Sequence, residues 1–360
     1  MPLTEAHQRF IDHLTAWVPR LPDSGFLADL IRARLTPAEA DLLARVPFFP
    51  HTIEQLAEQF GASPAEVAAR LDPLAKKGLV FRHQSARTVR YALNDSVFDF
   101  YRSPFWAGSR DGETARLAVL ANQYFSDGYG REFGAYPTMG LRAIPVKRTV
   151  ADPRRVTPYE DIITVVDNEE IFCTSTCPCR HRKHLDPDAP DCKHETFNCL
   201  HFGRLASYMI KQDMGKKISR QETLDILEKA ANAGLVHGIS NTKFGMDTIC
   251  NCCSCCCMFL ESYHVLGGHG HQPSNYILNI ETATCAGCET CIDRCPMKAL
   301  TMTDDGPVLA PEKCLGCGVC VHTCPTASLV LVPREEEQDF CENFRDMVGR
   351  MADERGMKFS

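Results

Sequence analysis

The first 172 residues contain no cysteine, although the 360-residue chain has 20, all between Cys173 and Cys341. That asymmetry marks a sharp compositional boundary and, with the length, points to two or three domains. No basic–apolar–small leader opens the sequence, and no run approaches the ~18 apolar residues that a membrane-spanning helix needs. The expectation is a cytoplasmic protein with no membrane span, in which so many thiols mean metal rather than disulfides. An excess of basic charge is also missing. The net charge is −7, which argues against the broad cationic surface of a dedicated nucleic-acid binder and favours basic redox partner proteins. No Walker A sequence occurs. The stretch Gly128-Tyr-Gly130-Arg-Glu-Phe-Gly134 misses the dinucleotide spacing and follows no clear strand, so it reads as loop.

What is present is concentrated near the C-terminus. Cys285-Ala-Gly-Cys288-Glu-Thr-Cys291-Ile-Asp-Arg-Cys295-Pro296 and Cys314-Leu-Gly-Cys317-Gly-Val-Cys320-Val-His-Thr-Cys324-Pro325 repeat one C-x2-C-x2-C-x3-C-P pattern at an offset of 29 residues. Three thiolates within a few residues suit the corner of an iron–sulfur cubane better than the paired C-x2-C of a zinc ribbon. Gly287, Gly316 and Gly318 permit the tight turns. The fourth cysteine of each run lies too far along to close its own cluster easily and ligates the other one in such two-cluster arrangements. This assigns Cys285, Cys288, Cys291 and Cys324 to one [4Fe-4S] cluster, and Cys314, Cys317, Cys320 and Cys295 to a second. The segment resembles the bacterial two-cluster ferredoxins over about residues 274–332, which implies one-electron transfer and a pseudo-symmetric pair of hairpins with two helices.

Between residues 36 and 93 the pattern predicts three helices and a hairpin. Each helix opens on a capping box: Thr36-Pro-Ala-Glu39, Thr52-Ile-Glu-Gln55 and Ser63-Pro-Ala-Glu66. Strands are expected at Leu79–Phe81 and Thr88–Leu93. The unit resembles a winged helix, in which helix 63–77 would enter a DNA groove and Arg82, Arg87 and Arg90 would grip phosphates. Residues 1–110 hold 13 Lys/Arg against 12 Asp/Glu, and the helix opens Ser-Pro-Ala-Glu-Val-Ala-Ala, poor in side chains that read base edges. Nucleic-acid binding is therefore the less favoured reading and a packing role the preferred one. The aromatic run Phe98, Phe100, Tyr101, Phe105 and Trp106 is expected to be core where this unit docks on the next.

The middle carries a second set of thiols: Cys173, Cys177-Pro-Cys179-Arg180, Cys192, Cys199, and the run Cys250-Asn-Cys252-Cys253-Ser-Cys255-Cys256-Cys257. A helix capped by Ser219-Arg-Gln-Glu222 separates the groups. The candidate metal ligands are Cys177, Cys179, Cys192, Cys199, Cys250, Cys252, Cys253, Cys255 and Cys256, holding a further iron–sulfur cluster or, as the plainer reading, structural zinc. Adjacent cysteines project differently and do not all fit one cubane, so the pairs imply two clusters or an unusual one. His264, His269 and His271 read as a solvated loop. His181, His184, His194 and His201 offer at most one non-cysteine ligand, and Arg180 and Arg182 are candidates to offset cluster charge.

Taken with Pro158-Tyr159-Glu160 and Gly234-Leu235-Val236, these motifs resemble a broad family of bacterial and archaeal 4Fe–4S proteins, in which a winged-helix-like segment and a cysteine-rich middle precede a two-cluster ferredoxin. In that pattern Cys173 is a bystander. The fold expected is α+β and multi-domain: a winged-helix-like domain at 1–110, a mainly helical cysteine-rich domain at 111–272, a ferredoxin-like domain at 273–332, and an amphipathic helix within 333–360 with Phe340, Phe344, Met347 and Met351 on one face. The activity expected is single-electron transfer through two C-terminal clusters and one more in the middle. The alternatives are a redox- or iron-sensing regulator and a reductase with a substrate-binding middle cluster. Donor, acceptor and oligomeric state are not encoded in these motifs.

Overall fold

Side-chain caps decide where the first helices begin. In the computed structural model, which describes residues 3–146, 149–152 and 156–358, Thr4, Thr36, Thr52 and Ser63 each accept the N–H of the third helical residue, whose side chain bonds back to the cap N–H. Such reciprocal caps satisfy two orphan donors at each helix start. They set α1 (Glu5–Thr15), α3 (Pro37–Leu43), α4 (Ile53–Phe60) and α5 (Pro64–Lys76), with α2 (Leu27–Arg34) between the first two. The strands β2 (Val80–Gln84) and β3 (Val89–Leu93) form an antiparallel hairpin, and β1 (His51–Thr52) pairs with the far side of β3. One apolar core joins these helices to Phe100, Tyr101 and Phe105. It continues through α6 (Gly112–Tyr124) and α7 (Gly130–Gly134) as far as Met139.

The reading of residues 128–134 as loop is corrected: the segment is helical, a π turn over Phe125–Tyr129 running into α7. Its glycines serve packing. A Cβ on Gly134 would overlap the Ser262 hydroxyl, and one on Gly130 would overlap Leu266. Only bare backbone lets α7 approach the helix that carries those residues.

The middle region was expected to be mainly helical, and its helices do outnumber its strands in residues, but they surround a six-stranded antiparallel sheet that the sequence reading did not anticipate. The strands are β4 (Leu141–Ala143), β5 (Phe172–Ser175), β6 (Cys199–Phe202), β7 (Lys216–Ile218), β8 (Val236–Ser240) and β9 (Thr248–Cys252), in the order β4-β8-β9-β6-β5-β7. They are short and several carry cysteine, histidine or glycine, so the usual apolar alternation is blurred. The helices of this region are α8 (Ile162–Asp167), α9 (Pro178–His184), α10 (Gly203–Lys211), α11 (Arg220–Asn232) and α12 (Met258–Leu266). Ser219 and Glu222 form the capping box of α11. Trp106 packs among Leu205, Ala206, Tyr208 and Met209 of α10, which ties the N-terminal core to the sheet.

The C-terminal repeat is visible in the backbone. β10 (Tyr276–Ile280), α13 (Thr290–Arg294) and β11 (Leu300–Thr303) are followed, one repeat later, by β12 (Gly306–Leu309), α14 (Val319–His322) and β13 (Leu329–Pro333). Positive φ recurs at the same offset: Gly287 with Gly316, Glu289 with Gly318, Lys298 with Ala327. The sheets are exchanged between repeats, β10 pairing with β13 and β11 with β12.

After the repeat, α15 (Phe344–Glu354) lays Val348 and Ala352 against Trp17 and Val18, with Met351 beside them. The expected stripe needs correcting. Phe340 precedes the helix and is buried under Arg142, whereas Phe344 is 53% exposed. Among the described residues, no helix is long and apolar enough to cross a membrane.

Candidate metal centres

The middle thiols separate into two groups. In the first, the sulfurs of Cys192, Cys253, Cys255 and Cys256 all lie within 4.8 Å of one another. Cys192 Sγ is 3.9 Å from Cys253 Sγ, and Cys255 Sγ is 3.7 Å from Cys256 Sγ. Cys192 comes from the connection between α9 and β6, and the other three follow β9. Ala230 and Leu235 wall the group with apolar surface. Thiol hydrogen bonds from Cys253 and Cys256 hold Cys255 down at about 4.

The second group is a chain of contacts: Cys177 to Cys179, Cys179 to Cys257, Cys257 to Cys252, Cys252 to Cys250, and Cys250 to Cys199. Sheet pairing explains the meeting. With Leu200 opposite Ile249 in the β6–β9 ladder, Cys199 and Cys250 fall next along it, while Cys177 is the N-cap of α9 and Cys257 that of α12. Alternation along β9 sends Cys250 and Cys252 to one face of the sheet. Cys250 receives hydrogen bonds from Cys199 and Cys252 and sits well below the ordinary thiol range. Burial works against the Cys257 thiolate, but hydrogen bonds from Cys179 and Cys252 bring it to about 6.

Two residues of this second group were not among the ligands the sequence suggested. Cys257 lies at the end of a run in which six of eight residues are cysteine, so sequence alone does not single it out. His271, read as loop, is 4% exposed, and its ring stacks on Phe259 with centroids 5.3 Å apart. Both ring nitrogens lack a hydrogen-bond partner among the described residues, and a ring nitrogen lies within 4.8 Å of the Cys252 and Cys257 sulfurs. Burial lowers it to about 4, so the imidazole is neutral and able to act as a ligand. The alternating small residue Gly238 makes room for it, since a Cβ there would sit 2.9 Å from His271 Nε2. No sequence signal short of the sheet register reveals this.

Four of the other candidate histidines are engaged elsewhere. His201 bonds Ser175 and Thr248, His181 the Ser109 carbonyl, His184 the Cys192 carbonyl, and His264 the Pro296 carbonyl. Cys173 lies in a separate apolar cluster with Leu205 and Met209.

Arg180 stands between the two groups, fully buried. It donates to the Asn251 carbonyl at 2.7 Å and to Asn198 Oδ1 at 2.8 Å. Burial opposes its charge, and the sulfurs of Cys177, Cys253, Cys252 and Cys192 outweigh that penalty and raise its pKa. A buried guanidinium facing sulfurs suits a thiolate-rich metal centre, because an uncompensated interior cation is costly. Arg182 has a different duty: it pairs with Glu261 and Asn122 and lies over the Tyr101 ring.

The second group opens onto a cavity of about 390 Å³. Trp17, Phe48, Phe98, Met139, Phe259 and Met351 are among its apolar walls, and Arg102, Arg180 and Arg355 are its cations. The loops after α1 and α3, the β2–β3 hairpin, the sheet and α15 all contribute to it.

In the C-terminal repeat, a second, smaller cavity is lined by Cys295, Cys314, Cys317 and Cys320, together with Leu278, Met297, Leu300 and Leu331. The charges that bear on Cys317 and Cys320 include those of Cys314 and Cys295. Cys291 feels Cys285 and Cys288, and Cys288 feels Cys324. Four soft thiolates around one apolar space suit an iron–sulfur cluster in donor type and dryness. The two ends differ in exposure: Cys288 is exposed, whereas Cys317 is buried enough to push its thiol up to about 12.

Residues 277–341 match the family model of the 4Fe-4S dicluster domain. No curated protein and no solved structure matches the chain. The C-terminal region is therefore that of an iron–sulfur protein, and the middle cysteine groups allow a further metal site.

Proposed function

We propose that the chain is an electron-transfer protein in which two cross-ligated [4Fe-4S] clusters in the C-terminal repeat serve a third centre held by Cys177, Cys179, Cys199, Cys250, Cys252 and Cys257. Such clusters, when bound, supply one-electron transfer at potentials set by their surroundings. The observation that carries the proposal is one continuous apolar cluster. Cys250, Cys252 and Cys257 of the middle region and Cys295 and Cys317 of the C-terminal repeat all belong to it, together with Val236, Leu260, Met297, Leu315 and Val319. Dry, close-packed side chains hold two thiol sets in fixed relation and keep water from both. The exposed set around Cys288 is then where electrons pass between the chain and a partner protein, and the buried set faces the middle of the molecule.

A second reading, reduction of a small molecule, is favoured by the cavity beside the six thiols. Its volume suits a compact organic ligand, its walls are largely apolar with several aromatic and methionine side chains, and Arg102 and Arg180 can orient a polar or anionic end. In either reading the N-terminal helical unit acts by covering this space. The regulator reading has less support: Arg82 of the hairpin is paired with Asp72 at 2.9 Å, leaving less free charge for phosphate.

Anaerobic iron and sulfide analysis with EPR is the test. Two C-terminal cubanes account for about 8 iron atoms, and a third cubane brings the total to about 12. Cys250→Ser is expected to lower the count toward 8 while the C-terminal EPR signals persist. An unchanged iron content in that variant would remove the third centre from the chain.

A further inference from the structure

Metal centres leave their size in the spacing of their ligands. A tetrahedral ion with sulfur bonds of 2.3 Å holds its four sulfurs about 3.8 Å apart. A cubane spreads its terminal thiolates to about 6 Å, because each sits beyond a different iron. One four-thiol set among the described residues has the smaller spacing. Among the described residues, no three of the eight C-terminal cysteines bring their sulfurs within 4.8 Å of one another, whereas Cys192, Cys253, Cys255 and Cys256 all do, with contacts of 3.9 and 3.7 Å.

We infer that these four cysteines bind a single tetrahedral zinc ion, separate from every iron–sulfur centre. All four ligands come from protein, which is the closed form of a structural rather than a catalytic site. Cys192, Cys253 and Cys256 are at most 6% exposed, and the wall is apolar, so solvent has little access to a fifth position. Two remote segments are joined: the residues between α9 and β6, which have no regular strand or helix of their own, and the loop that follows β9. Closing so irregular a connection offsets chain entropy that its few backbone bonds do not. The closure has a consequence for the neighbouring group. The stapled connection ends at Asn198, whose side chain accepts from Arg180 and whose carbonyl accepts from Asn251, and then enters β6 at Cys199. The zinc site thereby fixes one edge of the six-thiol group without contributing to it.

The experiment uses the full chain, purified anaerobically. Metal analysis is expected to give one zinc per chain in addition to iron, and zinc-edge X-ray absorption to give four sulfur neighbours at about 2.3 Å. Cys192→Ser and Cys256→Ser should each lose the zinc while iron, sulfide and the C-terminal EPR signals are kept. Loss of iron in these variants, with or without sulfide, overturns the inference, as does zinc with nitrogen or oxygen neighbours in the unaltered chain. The X-ray measurement needs no variant, so a folding failure of either substitution does not shelter the claim. Because the six-thiol cluster is read by iron and this site by zinc, the two proposals fail separately.

Discussion

At the scale of single residues, the most informative side chain is one that lacks a partner. His271 is buried beside Cys252 and Cys257, with neither ring nitrogen hydrogen-bonded among the described residues. Leaving a buried polar group unsatisfied costs roughly 1–3 kcal/mol, and a metal bond from one nitrogen removes that cost. Replacement of thiolate by imidazole raises a cluster's potential, so this residue would tune the middle centre. His271→Ala is expected to alter the EPR signal of that centre and to lower its midpoint potential or its iron occupancy, with the C-terminal signals unchanged. A redox titration followed by EPR reads both. Unaltered middle-centre signals and potential would make His271 a packing residue.

At the scale of elements, the 29-residue repeat governs both the chain path and the thiol sets. Exchange of strands between repeats, β10 with β13 and β11 with β12, carries each repeat's fourth cysteine toward the other's first three. Gly316 lies at the centre of this exchange. Its φ is +65°, and a Cβ would overlap the Tyr276 carbonyl of β10. Its counterpart Gly287 has the same φ with nothing within 4 Å. Gly287→Ala therefore incurs only the left-handed penalty of about 1 kcal/mol. Gly316→Ala adds a backbone collision and should cost at least about 2 kcal/mol and lower the iron content of the C-terminal region. Thermal melts and iron assays of the two variants compare them directly; equal effects would place the exchange elsewhere.

The same contrast explains what could be read before any coordinates. The C-x2-C-x2-C-x3-C-P runs and the capping boxes are local, since the residues that matter are neighbours in sequence, and the helices at 37–43, 53–60 and 64–76 start where their caps stand. The partition of the middle thiols is not local. It follows from strand order β8-β9-β6-β5, which sets Cys199 beside Cys250, and from the end of β9 at Cys252, after which Cys253 turns to meet Cys192. Strands of three to five residues interrupted by cysteine and glycine give little periodicity from which to infer that order. Gly128–Gly134 was misread for a related reason. Its glycines answer to the surface of α12, more than 120 residues later, and not to a local turn.

At the scale of the whole molecule, the centres define a direction. Cys288 lies at the exposed surface, the Cys295 set is covered by the apolar layer, and the six thiols face a cavity lined by the N-terminal region, the middle sheet and α15. The exposed end also carries Glu281, Glu289 and Asp293, all solvent-exposed, in a chain of net charge −7. Opposite charge on a partner speeds encounter, and salt screens it over about 10 Å at 0.1 M. A basic electron-transfer protein should therefore dock here. With cytochrome c as a basic acceptor, the rate of electron transfer from the reduced chain is expected to fall as ionic strength rises. The double variant Glu289→Lys and Asp293→Lys should slow it several-fold and flatten the salt dependence. An uncharged quinone acceptor serves as the control, because its rate should change little with either salt or variant. If cytochrome c and the quinone respond alike, or if the variant retains the full salt dependence, electrons do not cross at the Cys288 end, and the direction assigned to the chain is reversed or wrong.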